Sequence, residues 1–150
     1  MTVSVCSAED LPALVASAAA LFAEDGGRHD PFMDTGWPDR EGPGYYAGLI
    51  ADPDCLCLLA RDGGGHLVGK LSRPDPLRPG IVRAVLESIR VAPERRREGV
   101  GGALVDAFLA WARERGANEV SVTAFAGNEP ALAFYDSHGF RPFLVTLTRA

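Results

Sequence analysis

No apolar run in the 150-residue chain approaches the roughly 18 residues that a membrane-spanning helix requires, so no membrane segment is expected. The apolar stretch LPALVASAAALFAEDG follows Glu9 and Asp10 and no basic segment, so it does not read as a signal peptide. Cysteine is scarce. Cys6, Cys55 and Cys57 are an odd number in apolar, strand-like surroundings, which points to reduced core thiols of a cytoplasmic protein rather than a disulfide framework. Cys55 and Cys57 have no second Cys or His pair at ligand spacing, so no metal site is expected. Repeats, low-complexity tracts and linkers are also lacking, and the length suits one domain over residues 1–150. With 23% charged and 47% hydrophobic residues the composition is that of an ordinary globular protein. A chain of this size buries roughly two-thirds of its unfolded surface without a staple.

A net charge of −5 argues against a nucleic-acid partner. The charge is unevenly spread. Residues 1–50 carry eight acids against Arg28 and Arg40, a net of −6, whereas residues 51–100 carry nine basic and seven acidic residues, a net of +2. An acidic end and a basic centre suit a protein that holds a cation in one place and a polyanion in another.

Local patterns give an order of elements. TVSVC alternates as a short strand. SAEDLPALVASAAALFAEDGG reads as a helix, with Ser7 and Asp10 in a capping-box-like pattern. Residues 25–44, rich in Gly, Pro and Asp, read as a loop, and YYAGLIADP as a short helix leaving it. Two apolar runs around RDGGGH form a hairpin, with His66 at its tip on the surface. IVRAVLESIRVAP is a strand ended by Pro93. Residues 99–115 make the main helix, with Val100, Leu104, Phe108 and Trp111 on one stripe and Gly116 as its stop. NEVSVTAFA is a strand, and NEPALAFYDSHG a helix with Pro130 in its first turn and His138 on the surface near its end. FRPFLVTLTRA closes as a strand. The fold class is therefore α/β (α+β): a mixed sheet with helices packed on it.

Gly99, Gly101 and Gly102 stand at the mouth of the main helix, although glycine costs about 1 kcal/mol relative to alanine in a helix. A helix start leaves four N–H groups unpartnered at its positive end, and bare backbone there admits an anion. Close packing on the preceding strand is the alternative reading. A P-loop is excluded because no Lys follows the glycines, and a dinucleotide fingerprint because Leu104 stands at its third glycine position. The pattern that fits is R-x-x-G-x-G, with Arg96, Gly99 and Gly101, directly after a strand.

LESIRVAPERRREGVGGALVDAFL and NEPALAFYDSHGF, separated by one strand, resemble the two signatures of the GNAT acyltransferase superfamily. The resemblance is specific over about residues 84–142, and residues 1–83 match in element order as the acceptor-side half. It implies a mostly antiparallel sheet flanked by helices and a single acetyltransferase domain. It further implies acetyl-CoA as cosubstrate, its pyrophosphate cradled by backbone from Arg96 through Arg97, Glu98, Gly99, Val100, Gly101 and Gly102 to Ala103. Arg96 would lie along the phosphates and Arg95 or Arg97 reach the remaining one, while Glu98 would point away and favour the helix start. A bulge should splay the strand at residues 85–91, freeing backbone of Ile89, Arg90 and Val91 for the pantetheine and the acetyl carbonyl, with the Ile89 or Val91 amide supporting the oxyanion. Asn128, Ala131 and Tyr135 are carried over as coenzyme contacts, Asn128 serving also as an N-cap.

An amine with a pKa near 10.4 is neutral about once in 2,500 molecules at pH 7, so acyl transfer to it needs a proton acceptor. Glu87, the single acid within an apolar strand, is the candidate base, with His29, Asp30 and Asp34 as rivals. Pairing with Arg83 or Arg90, or exposure to solvent, is the structural alternative for Glu87. The resemblance implies that Tyr135, matching the tyrosine that holds this role in many family members, assists the departing thiolate. The acidic first half favours a small cationic amine as acceptor, lined by Phe32, Trp37, Tyr45 and Tyr46. A protein or peptide amine is the competitor, and a non-catalytic acyl-CoA-binding regulatory domain the alternative from another class. The closing strand FLVTLT leaves room for a homodimer.

Overall fold

The computed structural model describes residues 2–150. Strand β1 (Val3–Val5) leads through a 3-10 turn at Ala8–Asp10 into α1 (Leu11–Leu21), a π-turn at Phe22–Gly26 and α2 (Gly27–His29). Then follow α3 (Trp37–Ala51), β2 (Cys55–Ala60), β3 (Gly65–Leu71), β4 (Arg83–Val91), α4 (Val100–Glu114), β5 (Glu119–Val122) and α5 (Glu129–Ser137). The sheet runs β1-β2-β3-β4-β5, antiparallel through β4 and parallel between β4 and β5. The capping box forms as the sequence implies: Ser7 N–H donates to Asp10 Oδ2 at 2.8 Å.

Side chains alternate across the sheet, and each face has its own core. Leu56, Leu58, Leu67, Ala84 and Leu86 meet Val100, Leu104, Val105 and Phe108 of α4 on one side. Cys57, Leu59 and Val68 meet Leu14 and Ala18 of α1 and Tyr46 of α3 on the other. Cys6 and Cys57 are buried and Cys55 is half-buried; all three are free thiols, and burial raises them to about 11, 12 and 11, respectively. Gly69 lies under α4, and a Cβ there would stand 2.6 Å from the Phe108 ring.

Three expectations are corrected. Residues 37–44 are helical, although WPDREGPG carries the letters of a loop. Pro38 falls in the first turn, where no N–H is missed, and Pro43 lies inside the helix at the cost of a hydrogen bond. Packing outweighs that cost: Tyr46 is buried, and Trp37 stacks on Phe22 with ring centres 5.8 Å apart. Residues 140–150 form no strand, so the described residues build a sheet of five strands rather than six. His66 is fully buried, not at a surface tip, because the turn falls on residues 61–64 and β3 starts at Gly65.

Candidate active site

Between β3 and β4 the register runs Val68↔Ser88 and then Gly69↔Leu86, so Glu87 has no partner across the ladder. This bulge has two effects. It shifts the alternation, so Leu86 below it and Ile89 and Val91 above it all face α4. It also places Glu87 and Ser88, neighbours in sequence, on the α1/α3 side. β4 pairs with β5 only from Arg83 to Leu86, and beyond that point the two parallel strands part. The backbone of Glu87 to Val91 therefore has no ladder partner on its β5 side, hereafter the gap.

Glu87 is partly enclosed there. Its Oε1 accepts from the Tyr45 hydroxyl at 2.7 Å and from Lys70 Nζ at 2.9 Å. Among the described residues no donor reaches Oε2. Lys70 and Tyr45 replace the partners considered from sequence, since Arg90 pairs with Glu24 and Arg83 with Ser72. Burial and the Glu87 carboxylate hold the Tyr45 hydroxyl far above the usual phenol range, protonated and donating. Trp37, Tyr45 and Tyr46 pack edge to face beside the carboxylate, whereas Phe32 is almost fully exposed and away from that cluster.

The glycine mouth divides its labour. Gly99 is the N-cap of α4 with φ +81°, a left-handed conformation suited to glycine, and Arg97 before it is also left-handed at φ +66°. Gly101 faces packing: a Cβ there would lie 3.0 Å from the Phe134 ring and 3.4 Å from Val91. Gly102 lies under the His138 ring, which is itself half-buried against Phe134 at 4.7 Å between ring centres, so His138 is not the surface residue expected. Both readings of the glycines thus hold at different positions. The amides of Val100, Gly101 and Gly102 begin the helix at its positive end, while Ala103 N–H already donates to Gly99 O at 3.0 Å. Arg95 bonds Glu98 at 3.0 Å and the Asp62 carbonyl at 3.3 Å, which ties both side chains to the loop. Arg96 lies close enough to Glu24 to add to the pull of Arg90 on that carboxyl, which is held below its ordinary range.

Across the gap, Tyr135 of α5 packs against the α4-side core, with Phe134 and Phe140 edge-on. Burial, with Asp25 adding, pushes its hydroxyl up to about 12. Asn128 caps α5 by accepting from Ala131 N–H at 3.2 Å, and its amide donates to Asp25 Oδ1 at 2.8 Å. His29 Nε2 is 3.5 Å from the same oxygen and stacks on Phe125. Asp30 and Asp34 serve loop geometry, Asp30 accepting from Phe32 N–H and Asp34 from Gly36 N–H and Arg40. Sequence reasoning missed Lys70, Glu24 and Asp25 as site neighbours. Lys70 alone carried a usable signal: it is the only lysine in the chain.

One further polar chain lies beneath the site. Ser17 Oγ and His66 Nδ1 are 2.6 Å apart, and His66 Nε2 is 3.2 Å from Ser88 Oγ. Burial, with Arg90 adding, lowers His66 to about 3, so it is neutral at physiological pH. No group of three or more His, Cys, Asp or Glu arranged to hold a metal occurs among the described residues, and no described helix is long and apolar enough to cross a membrane.

The chain is similar to known proteins. The family model for the acetyltransferase (GNAT) family matches residues 19–140. The chain is 36% identical over 134 residues to a mycothiol acetyltransferase of Clavibacter sepedonicus, a match covering 89% of this chain and 40% of that protein. The chain thus spans about two-fifths of the length of the curated relatives it matches. A mutant of the BH1408 protein of Bacillus halodurans superposes over 100% of this chain and 99% of its own, with TM-score 0.87 at 17% identity. The aminoglycoside antibiotic 6'-N-acetyltransferase AAC(6')-IG of Acinetobacter haemolyticus covers 100% of this chain and 97% of its own, with TM-score 0.78 at 21% identity. At those identities the likeness is one of fold. With the family model spanning most of its length, the chain belongs to the GNAT acetyltransferase family.

Proposed function

We propose that the protein transfers an acetyl group from acetyl-CoA to the primary amine of a small molecule. The single observation that carries this reading is Glu87, set out of register by the bulge, with both donors on Oε1 and Oε2 turned to no described group. A carboxylate so held accepts the proton of an incoming amine as its nitrogen attacks the thioester carbonyl. The N–C bond forms, the C–S bond breaks, and the coenzyme leaves as a thiolate. The amides of Ile89 to Val91, bordering the gap, are the candidates for supporting the carbonyl oxygen. The cosubstrate's phosphates fit the first amides of α4, with Arg96 and Arg97 beside them. Ala131, whose amide is taken by Asn128, would contribute only its methyl group.

Tyr135 serves the leaving thiolate as a hydrogen-bond donor rather than an early acid. From a phenol near 12 to a thiolate near 8.5, proton transfer is uphill by about 5 kcal/mol.

The acceptor is a compact amine rather than a long polycation. Three of the eight acids of residues 1–50 are already paired, Asp10 with Arg61, Glu24 with Arg90 and Asp34 with Arg40, and Lys70 stands beside Glu87. The relation to mycothiol acetyltransferases favours, as a second reading, an amine of the mycothiol type. The test is thiol release from acetyl-CoA against deacetylated mycothiol, aminoglycosides, polyamines, amino acids and short peptides, with Glu87→Gln alongside. Release with one class of compact amine, lost in the variant, supports the reading and names the acceptor, whereas release with polyamines or peptides alone keeps the transfer and replaces the acceptor. Silence from protein that binds acetyl-CoA replaces it with an acyl-CoA-sensing role.

A further inference from the structure

The proposed transfer needs an amine beside Glu87, and the chain already holds one there. Lys70 is its only lysine. On β3, Gly69 and Leu71 face α4, so Lys70 between them points to the α1/α3 side, the side on which the bulge places Glu87. Its Nζ lies 2.9 Å from Glu87 Oε1, and no other carboxylate among the described residues pairs with it.

The amine is held loosely. The Lys70 side chain is 42% exposed, and an ion pair so open to water is worth about 1 kcal/mol or less. Of the three N–H groups of the ammonium, one has a partner among the described residues, which leaves Nζ free to turn away from Oε1. Cys55 faces Lys70 across the β2–β3 ladder, but burial pushes its thiol up to about 11, so it stays protonated and is no rival nucleophile at neutral pH. One primary amine, one proton acceptor and the backbone of the gap thus meet within a single chain.

We propose that Lys70 is a site of self-acetylation: when no acceptor is bound, its Nζ takes the acetyl group from acetyl-CoA on the same chain. This modification rests on the acetyl transfer proposed above. The ammonium gives one proton to Glu87, and the neutral Nζ attacks the thioester carbonyl. The N–C bond forms, the C–S bond breaks with its electron pair on sulfur, and the second amine proton goes to the thiolate. Glu87 then passes its proton to water, which leaves acetyl-lysine, the free coenzyme thiol and one released proton. Tethering gives Nζ an effective concentration that a scarce free amine does not match, while an abundant acceptor outcompetes it. The acetylated side chain is neutral, so the ion pair ends and Glu87 is left to Tyr45 alone.

The intact mass of the full chain before and after incubation with acetyl-CoA alone tests this, with peptide mapping to place the group. The expected result is one added acetyl group on the peptide that carries residue 70, at a rate per chain that dilution does not change. Glu87→Gln should slow the labelling by about tenfold or more. Lys70→Arg, which keeps the positive charge, should abolish it, and an amine that the enzyme turns over should suppress it. Equal labelling of Lys70 in Glu87→Gln or in the urea-unfolded chain is plain chemical acetylation and overturns the proposal. Label found instead on Cys55, removable with hydroxylamine, or on the N-terminal amine also overturns it. A chain that binds acetyl-CoA and acetylates a free amine, yet leaves Lys70 unmodified when no amine is supplied, overturns self-acetylation while the transferase reading stands. Failure to bind acetyl-CoA in calorimetry removes both.

Discussion

The chain's only lysine, Lys70, holds its ammonium group 2.9 Å from Oε1 of Glu87, the oxygen that also takes the Tyr45 hydroxyl. The two residues sit on neighbouring strands, and the contact exists because the bulge leaves Glu87 outside the ladder while Lys70 stays within it, opposite Val85. The pair is partly open to solvent, with side-chain exposures of 42% and 23%. An ion pair this exposed is worth about 1 kcal/mol or less. Lys70→Met is therefore expected to change acceptor kcat/KM by about fivefold or less. Tyr45→Phe, which removes a hydrogen bond to a charged group worth about 1.5–3 kcal/mol, is expected to cost about tenfold or more. Neither should alter acetyl-CoA affinity measured by calorimetry. A Lys70→Met loss far exceeding that of Tyr45→Phe would reverse the ranking of Glu87's partners.

Glu87→Gln keeps the shape of the side chain and removes its capacity to take a proton. Turnover should fall well over tenfold with acetyl-CoA affinity unchanged, and unchanged turnover removes Glu87 from the mechanism.

Tyr135→Phe should lower kcat and leave coenzyme affinity near the wild-type value. Because the hydroxyl is raised to about 12, the rate profile should show no loss from its ionisation up to about pH 11. A loss of affinity with intact kcat would assign Tyr135 to binding alone.

Gly65 has φ +138°, and a Cβ there would meet the Arg90 carbonyl oxygen at 1.9 Å. Gly65→Ala should cost about 3 kcal/mol or more in urea unfolding. Gly80→Ala, with nothing within 4 Å and no positive φ, should stay within about 0.5 kcal/mol and serves as control.

Two acid-sensitive groups act in windows that overlap only near pH 3–3.8. His66 is held neutral down to about 3 when folded but takes a proton near 6.5 when unfolded. The unfolded chain thus binds the extra proton, so stability falls as pH drops from 6.5 toward 3, at up to about 1.4 kcal/mol per pH unit. His66→Gln should flatten that slope. Asp10, hydrogen-bonded by Arg61 and by the Ser7 N–H, is lowered from 3.8 to about 2, so its contribution is present above pH 3.8 and lost as pH falls through 2. Asp10→Asn should leave the higher window untouched. Urea midpoints from pH 7 down to about pH 2 separate the two, the His66 slope lying above pH 3.8 and the Asp10 loss extending below pH 3.

What the sequence made legible was local. The glycine mouth, the apolar stripe of α4 and the Asn128 cap each depend on residues within a turn or two of one another, and all stand where their spacing places them. The partners of the site do not. Lys70 and Tyr45 reach Glu87 across 17 and 42 residues, and Asp25 reaches Asn128 across 103, distances over which no periodicity operates. The sequence puts His66 at a hairpin tip, yet one residue of register carries it from a turn into a strand with α1 above it. Trp37 to Gly44 carry helix-breaking letters that aromatic packing overrides. Residues 143–148 have strand chemistry, but a strand also needs a neighbour, and a single chain's sequence names none.

The extra residue in β4 has a consequence for how such a protein diversifies. A position outside the ladder answers to neither core: Glu87 belongs to neither hydrophobic cluster and has no backbone partner in β3, its side chain meeting only Lys70 and Tyr45. Its side chain can be exchanged without moving Leu86 or Ile89, which anchor the strand against α4. The bulge thus uncouples two kinds of inheritance in one strand. The strand keeps its packing against α4 on one side of the bulge residue while position 87 answers only to Tyr45 of α3 and Lys70 of β3.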